Sequence, residues 1–133
     1  MLMIVGAGMK RDKLSELSLT FGIEMMRFSH WLEQQNERVA SYQVCKSGTS
    51  IGANIREARY AQSKADFISK LQIALKETNE TYYWLELVHG ADFISEETFS
   101  RLSAPCNELR VLLIKSINTA KQNMKGNDDV RTN

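Results

Sequence analysis

The sequence has little of what divides a chain into short strands and turns. Its 133 residues include one proline and seven glycines, and long stretches contain neither, although a many-stranded sheet needs such residues at short intervals. Charge of one sign is also lacking, since 17 Lys and Arg residues against 16 Asp and Glu residues leave a formal net charge of +1. This near balance excludes the gross basic excess of many nucleic-acid-binding proteins, so any such role depends on a local patch.

Cysteines and long apolar runs are scarce as well. Cys45 and Cys106 stand far apart and form no C-x-x-C pair, so we expect two buried thiols in a reducing compartment. No stretch approaches the roughly 20 apolar residues of a membrane-spanning helix. The opening run Met1–Gly8 is too short for a signal peptide and has no basic residue before it. These features predict a cytoplasmic protein without a membrane partner.

Both ends of the chain are predicted to lie outside the folded domain. The opening run has two glycines of a dinucleotide-binding turn, but Arg11 occupies the place of the third. We therefore interpret residues 1–11 as a disordered leader, or as residues upstream of a true start at Met9. The polar segment 125–133 is predicted to be a frayed tail. Residues 12–124 then form a single domain.

Within this domain, apolar residues recur at steps of three and four, the spacing of one face of an α-helix. The pattern predicts helix 1 over 12–35, helix 2 over 38–60, helix 3 over 64–90 and helix 4 from Ser95 to about 124. Ser95 precedes two glutamates and is a favourable N-cap for helix 4. Pro105 removes a backbone donor inside that helix, so we expect a kink or short break near Ser103 and Ala104.

Four amphipathic helices with short links indicate an all-α protein, an antiparallel up-down-up-down four-helix bundle. Predicted core positions are Leu14, Leu17, Phe21, Met25, Phe28, Leu32, Val44, Ile51, Ile55, Ala58, Phe67, Leu71, Ala74, Thr78, Thr81, Leu85, Val88, Phe99, Leu102, Cys106, Leu109, Leu113, Ser116 and Ala120. Gly48 and Gly52 share the core face of helix 2, where each costs roughly 1 kcal/mol relative to alanine. We therefore expect another helix to approach closely there.

Two sets of residues remain after the core is filled. Aromatic residues beside the core faces fit either a wide core or, as we favour, an oligomer interface; they are Tyr82, Tyr83, Trp84 and Trp31. A polar line on helix 2 either faces water or forms an interhelical polar network with Thr78, Glu80 or Thr81. That line consists of Ser47, Ser50, Asn54 and Glu57.

Charge is divided unevenly along the chain. Residues 38–70 hold six bases and two acids, whereas residues 71–100 hold one base and six acids. Helix faces exposed to solvent account for this division, but the basic and the acidic face could also meet between subunits of a ring. Alternatively, the bases contact nucleic-acid phosphates. The candidate nucleic-acid-binding residues are Lys46, Arg56, Arg59, Lys64 and Lys70.

Catalytic and metal-binding patterns are incomplete. Glu86 and His89 form half of a di-iron carboxylate motif, but the only other histidine, His30, has Arg27 where the second glutamate is required. Cys106 lies on the predicted core face, which does not suit a nucleophile. We therefore predict no catalytic residue, no metal site and no cofactor.

Two segments, Val44–Ala58 and Asp66–Leu85, resemble the bacterial four-helix-bundle family of the 23S rRNA intervening-sequence proteins. The most specific positions are Ser50, Ile51, Asn54, Ile55, Glu57 and the stretch from Ala74 to Trp84. Relatives of that family include the accessory variability protein of diversity-generating retroelements, a pentameric barrel that binds nucleic acid and a reverse transcriptase. The resemblance implies a non-enzymatic bundle that assembles as a homopentamer, with RNA, DNA or another protein as a further partner.

Overall fold

The computed structural model describes residues 12–132, with side chains as far as residue 126. The four helices are α1 (Lys13–Gln34), α2 (Arg38–Arg59), α3 (Lys64–Gly90) and α4 (Glu96–Thr132). No strand occurs within residues 12–132. The predicted all-α class is therefore confirmed, and the predicted leader at 1–11 lies outside the described residues.

Each helix packs against the next one along the chain, and α4 closes the bundle by packing against α1. The links between helices are short, so successive helices run antiparallel. Diagonal pairs such as α1 and α3 do not pack on each other within the described range. The arrangement is the predicted four-helix bundle, and its least extensive side is the seam between α1 and α4.

The core is built from the positions that the apolar spacing predicted. Most are buried, including Phe21, Met25, Ile51, Leu85 and Leu109. The ends of the stripes are only half-buried but pack against the same core; they include Leu14, Leu17, Phe67 and Phe99. The spacing therefore identified most of the interior. It missed Ile68, Ile94 and Ile117, which are also buried.

Side-chain caps fix where three of the helices begin. The Ser15 backbone N–H donates to Asp12 Oδ1 at 2.8 Å, and the Asp66 N–H donates to Ser63 Oγ at 3.0 Å. The Thr98 N–H donates to Ser95 Oγ at 3.1 Å, which confirms the N-cap predicted for α4. Such caps satisfy amide groups that lack a partner in the first turn.

α1 and α2 approach closely at the glycines of α2, as the sequence predicted. A Cβ atom built on Gly48 would lie 2.5 Å from Met25 Cγ, and one on Gly52 would lie 3.4 Å from the Ser18 carbonyl oxygen. Glycine at position 48 therefore makes room for a core side chain of α1.

α4 differs from its prediction in two respects. The helix is continuous through Pro105, so of the predicted kink or short break near Ser103 and Ala104 the break is absent. It also continues to Thr132, past the predicted end near residue 124 and through the segment expected to be a tail. Ser103 is buried on the core side of this helix, although Pro105 supplies no N–H to the backbone hydrogen bonds.

Candidate functional site

The predicted polar line on α2 divides into one buried residue and three that bond within their own helix or face solvent. Ser47 is fully buried and its hydroxyl lies 2.9 Å from Thr81 Oγ1 on α3. Ser50 donates to the Lys46 carbonyl at 2.6 Å, and the Asn54 amide donates to the Ser50 carbonyl at 2.8 Å. Glu57 is exposed. The structure therefore joins only Ser47 to α3.

A second polar contact between helices was missed at the sequence level. The Ser41 hydroxyl donates to the Ser29 carbonyl at 2.7 Å, and the two hydroxyls lie 2.8 Å apart. Both serines are buried and connect α1 to α2. The available signal was their position at the edge of each apolar face, where a small polar side chain meets the neighbouring helix. No buried side-chain polar atom in the described part of the chain lacks a partner.

The five candidate nucleic-acid-binding residues do not share one face. Arg59 reaches back to α1, where its Nη2 lies 2.9 Å from Asp12 Oδ2 and its Nε donates to Ser15 Oγ at 3.0 Å. Arg56 lies along the groove between α1 and α2. The remaining three are Lys46, Lys64 and Lys70, of which Lys70 is half-buried. Arg56 and Arg59 therefore share the α1–α2 side, whereas Lys46 lies close enough to Glu77 of α3 to lower the pKa of that carboxyl.

The four candidate interface aromatics occupy different environments. Tyr82 is half-buried and meets Phe99 of α4 edge-on, with 6.2 Å between ring centroids. Trp31 stacks on Phe28 beside the α1–α4 seam. Tyr83 is exposed and lies edge-on to half-buried Trp84. Tyr82 and Trp84 thus both pack against the core of their own chain, whereas Tyr83 lies on the outer surface of α3.

An apolar groove of about 860 Å³ runs between α1 and α2. Leu19, Ile23 and Met26 line it from α1 at steps of four and three, and Tyr60 closes one end. The small residues Gly22, Thr49, Gly52 and Ala53 form its floor and walls. We call this surface the α1–α2 groove. Its exposed side chains were not singled out from the sequence, because they lie on the face opposite the core stripe of α1.

A second apolar surface follows the outside of α3. Ile73, Trp84 and Leu87 lie along one line of the helix, with Glu80 between them, at steps of seven, four and three. Ile73 and Leu87 are exposed, and Trp84 is half-buried. We call these four residues the α3 stripe.

Carboxylates crowd one another beside the α3 stripe. Burial raises the pKa of the Glu77 carboxyl and the neighbouring Glu80 raises it further, while Lys76 and Lys46 lower it by less than these two effects together. Repulsion between the two carboxylates makes this part of α3 a favourable place for an additional cation.

The α1–α4 seam holds another groove, of about 800 Å³. Trp31 and Phe93 face it together with Arg27 and Arg101. Arg101 is held by Glu24, whose Oε2 lies 3.1 Å from the guanidinium Nη1. The charges lining this groove are therefore largely balanced by acids of the same chain.

The residues of the incomplete di-iron motif have other contacts. His89 Nε2 lies 2.8 Å from Glu96 Oε2, and its ring stacks on Phe99 at a centroid distance of 4.3 Å. Among the described residues, no group of three His, Cys, Asp or Glu side chains is close enough to hold a metal ion. No helix in the same part of the chain is long and apolar enough to cross a membrane.

The sequence profile of the 23S rRNA-intervening sequence proteins matches residues 11–115, which include α1, α2, α3 and the first half of α4. The chain belongs to this family. A solved structure, of a protein of unknown function from the S23 ribosomal protein family of Bacteroides thetaiotaomicron VPI-5482, is 45% identical and has a TM-score of 0.77. The match covers 79% of this chain and 95% of that one. A search of curated proteins gave no match.

Membership of the 23S rRNA-intervening sequence protein family agrees with the fold. The matched residues span the close contact of α1 with α2 and the contact of Ser47 with Thr81. The matched range also contains the α1–α2 groove and the α3 stripe. The two candidate interaction surfaces therefore lie on the part of the chain that the family shares.

Proposed function

We propose that this chain is a non-catalytic scaffold or adaptor that acts as a homo-oligomer. The observation that supports the proposal is the large apolar surface left exposed after the core is complete, in the α1–α2 groove and on the α3 stripe. Exposed apolar side chains grouped along a groove are a common feature of surfaces that bind a protein partner. Five copies is the number implied by the resemblance to the pentameric relative.

Light scattering coupled to size-exclusion chromatography tests the assembly. Because burial of apolar area favours association, we expect the mass to rise from that of one 15.2 kDa chain towards a multiple of it as the concentration increases. A constant mass of one chain across the micromolar range would contradict the proposal.

RNA or DNA binding is the second candidate, and its support is the pair Arg56 and Arg59 at one end of the α1–α2 groove. The family name, which refers to 23S rRNA, agrees with it. Only Arg56 of the two makes no ion pair with the described residues, because Arg59 is held by Asp12. This arrangement offers phosphates fewer cations than the sequence suggested.

Salt dependence tests nucleic-acid binding. If phosphate contacts carry the binding, its affinity for a short single-stranded RNA falls as salt rises, and Arg56→Glu weakens binding for all sequences. Lys115→Glu on α4 is the matched control, because it makes the same charge change on an exposed residue away from the groove. Equal binding by the two variants, or no binding at low salt, would dismiss this candidate.

A further inference from the structure

We propose that the α1–α2 groove of one copy receives the α3 stripe of a second copy. This inference rests on the proposed homo-oligomer and adds the two surfaces that meet. The contact joins two different surfaces, so each copy donates its stripe to one neighbour and accepts a stripe from another.

The dimensions of the two surfaces agree. The groove follows α1 from Ser15 to Met26, about 16 Å at the usual helical rise, and the stripe extends about 21 Å from Ile73 to Leu87. The small residues of the groove wall, such as Gly52 and Ala53, leave room for large side chains of a facing helix. A line of large residues thus meets a surface built from small ones, as in helix-in-groove recognition.

Charge identifies a second copy as the occupant. The charged side chains that line the groove are Arg56, Arg59 and Glu57, so bases exceed acids there. Neither Arg56 nor Glu57 makes an ion pair with the described residues of its own chain, and the same holds for Glu80 in the stripe. Glu77 lies beside Glu80, and the repulsion between them is relieved by an arriving guanidinium. The stripe therefore brings an acid to a surface that offers a base.

The bundle geometry prevents one copy from satisfying both surfaces. α1 and α3 occupy opposite corners of the bundle and do not pack on each other within the described residues. The groove and the stripe thus face different directions, and both are open to neighbours at once. A contact between unlike surfaces closes into a ring when the rotation between copies permits, whereas a contact between like surfaces stops at two.

Mixing two variants tests the pairing directly. Ile23→Asp places a charge in the groove and Leu87→Asp places one in the stripe, at side chains 44% and 39% exposed, so the monomer fold tolerates both. We expect each variant alone to sediment as a monomer and the equimolar mixture to form a dimer, because one partner keeps an intact stripe and the other an intact groove. Val111→Asp on α4, at a side chain 57% exposed, is the matched control and assembles like the wild type.

The outcomes separate this inference from the proposed function. A wild type that stays monomeric contradicts the homo-oligomer itself. A wild type that assembles, with Leu87→Asp assembling equally well, overturns the pairing of groove and stripe while the homo-oligomer stands. A mixture that remains monomeric when both single variants have lost assembly also overturns the pairing. Circular dichroism confirms that each variant is folded.

Charge exchange provides a second test. Arg56→Glu and Glu80→Arg are each expected to raise the concentration at half-assembly roughly tenfold, and the double variant is expected to restore it to within a few fold. Lys115→Glu on α4 is the control for a change of net charge. Failure of the double variant to recover would contradict a contact between Arg56 and Glu80.

Discussion

Asp12 shows how one side chain both begins a helix and joins two helices. Its Oδ1 accepts the Ser15 N–H, and its Oδ2 lies 2.9 Å from Arg59 of α2. Burial alone would raise the pKa of the Asp12 carboxyl, but the hydrogen bonds from Ser15 and the charge of Arg59 together lower it. The native protein therefore favours the ionised carboxylate.

Replacing Asp12 by alanine is expected to lower the free energy of unfolding by about 1 kcal/mol near neutral pH, through loss of the cap. Because the folded-state pKa is lowered, the part of this stabilisation that depends on the charge of Asp12 is present above the ordinary carboxyl pKa and is lost as the pH falls through the lowered value. Urea unfolding of both proteins across acid pH, at equal protein concentration, measures the difference.

Asp12→Asn is the control for this change, because asparagine caps a helix about as well as aspartate but carries no charge. We expect it to cost only a few tenths of a kcal/mol, the usual value of an exposed ion pair. A destabilisation by Asp12→Ala that did not diminish at acid pH would contradict the role given to the carboxylate.

Cys106 and Cys45 were both predicted to be buried thiols, but only Cys106 is fully buried and Cys45 is half-buried. Burial raises the pKa of Cys106 to about 12, although Arg110 opposes the shift. Apolar spacing predicted the position of Cys106 on the core stripe of α4. The exposure of Cys45 depends on how closely α1 packs beside it, which the spacing does not specify.

Alkylation of the native protein tests this difference. We expect Cys106 to react only after unfolding, because a pKa near 12 leaves about one thiolate in ten thousand at pH 8. A Cys45→Ser variant leaves Cys106 as the single thiol of the chain. We expect no labelling of this variant until denaturant is added. Labelling of folded Cys45→Ser at the rate of an unfolded thiol would contradict the burial of Cys106.

At the scale of whole helices, the sequence predicted most of what the structure contains. The steps of three and four placed all four helices and the Ser95 cap, because burial of an apolar face determines where a helix lies. Two features of α4 were not predictable in this way. One is the continuity of α4 through Pro105, and the other is its extension to Thr132.

The backbone conformation of the links between helices was also not predictable residue by residue. Asn36 and Asp92 adopt left-handed backbone conformations with φ of 66° and 64°. Asparagine and aspartate tolerate this conformation better than most residues other than glycine. Since they occur frequently in polar links, the sequence indicated a turn at each place but not which residue would take the left-handed conformation.

Glycines provide the test of helix packing. Gly48→Ala is expected to destabilise the protein by about 1–2 kcal/mol, because a Cβ 2.5 Å from Met25 Cγ displaces a core side chain at a cost above the helix propensity gained. Gly90→Ala is the control, since nothing lies within 4 Å of its added Cβ. We expect it to stabilise by up to about 1 kcal/mol.

Urea unfolding at one protein concentration compares the two alanine variants, since association would otherwise change the apparent stability. If Gly48→Ala and Gly90→Ala changed the free energy of unfolding by the same amount, helix propensity would outweigh packing at position 48. That result would contradict the close approach of α1 and α2.

At the scale of the whole molecule, the sequence indicated surplus apolar surface but located it only in part. Tyr83 does lie on the outside of α3, whereas Trp84 packs against the core, Tyr82 packs on Phe99 and Trp31 lines the α1–α4 seam. The α1–α2 groove was not predicted, because it forms from two helices whose relative rotation the spacing leaves open. The scatter of the five basic residues depends on that rotation as well.

The assembly depends on the apolar side chains of the α1–α2 groove and the α3 stripe joining copies of the chain. Native mass spectrometry of the wild-type protein at micromolar concentration counts the copies directly. We expect a closed species with the mass of five 15.2 kDa chains, reduced to single chains by Ile23→Asp or Leu87→Asp. A spectrum containing only single wild-type chains, at every concentration that keeps the protein folded and in solution, would contradict it.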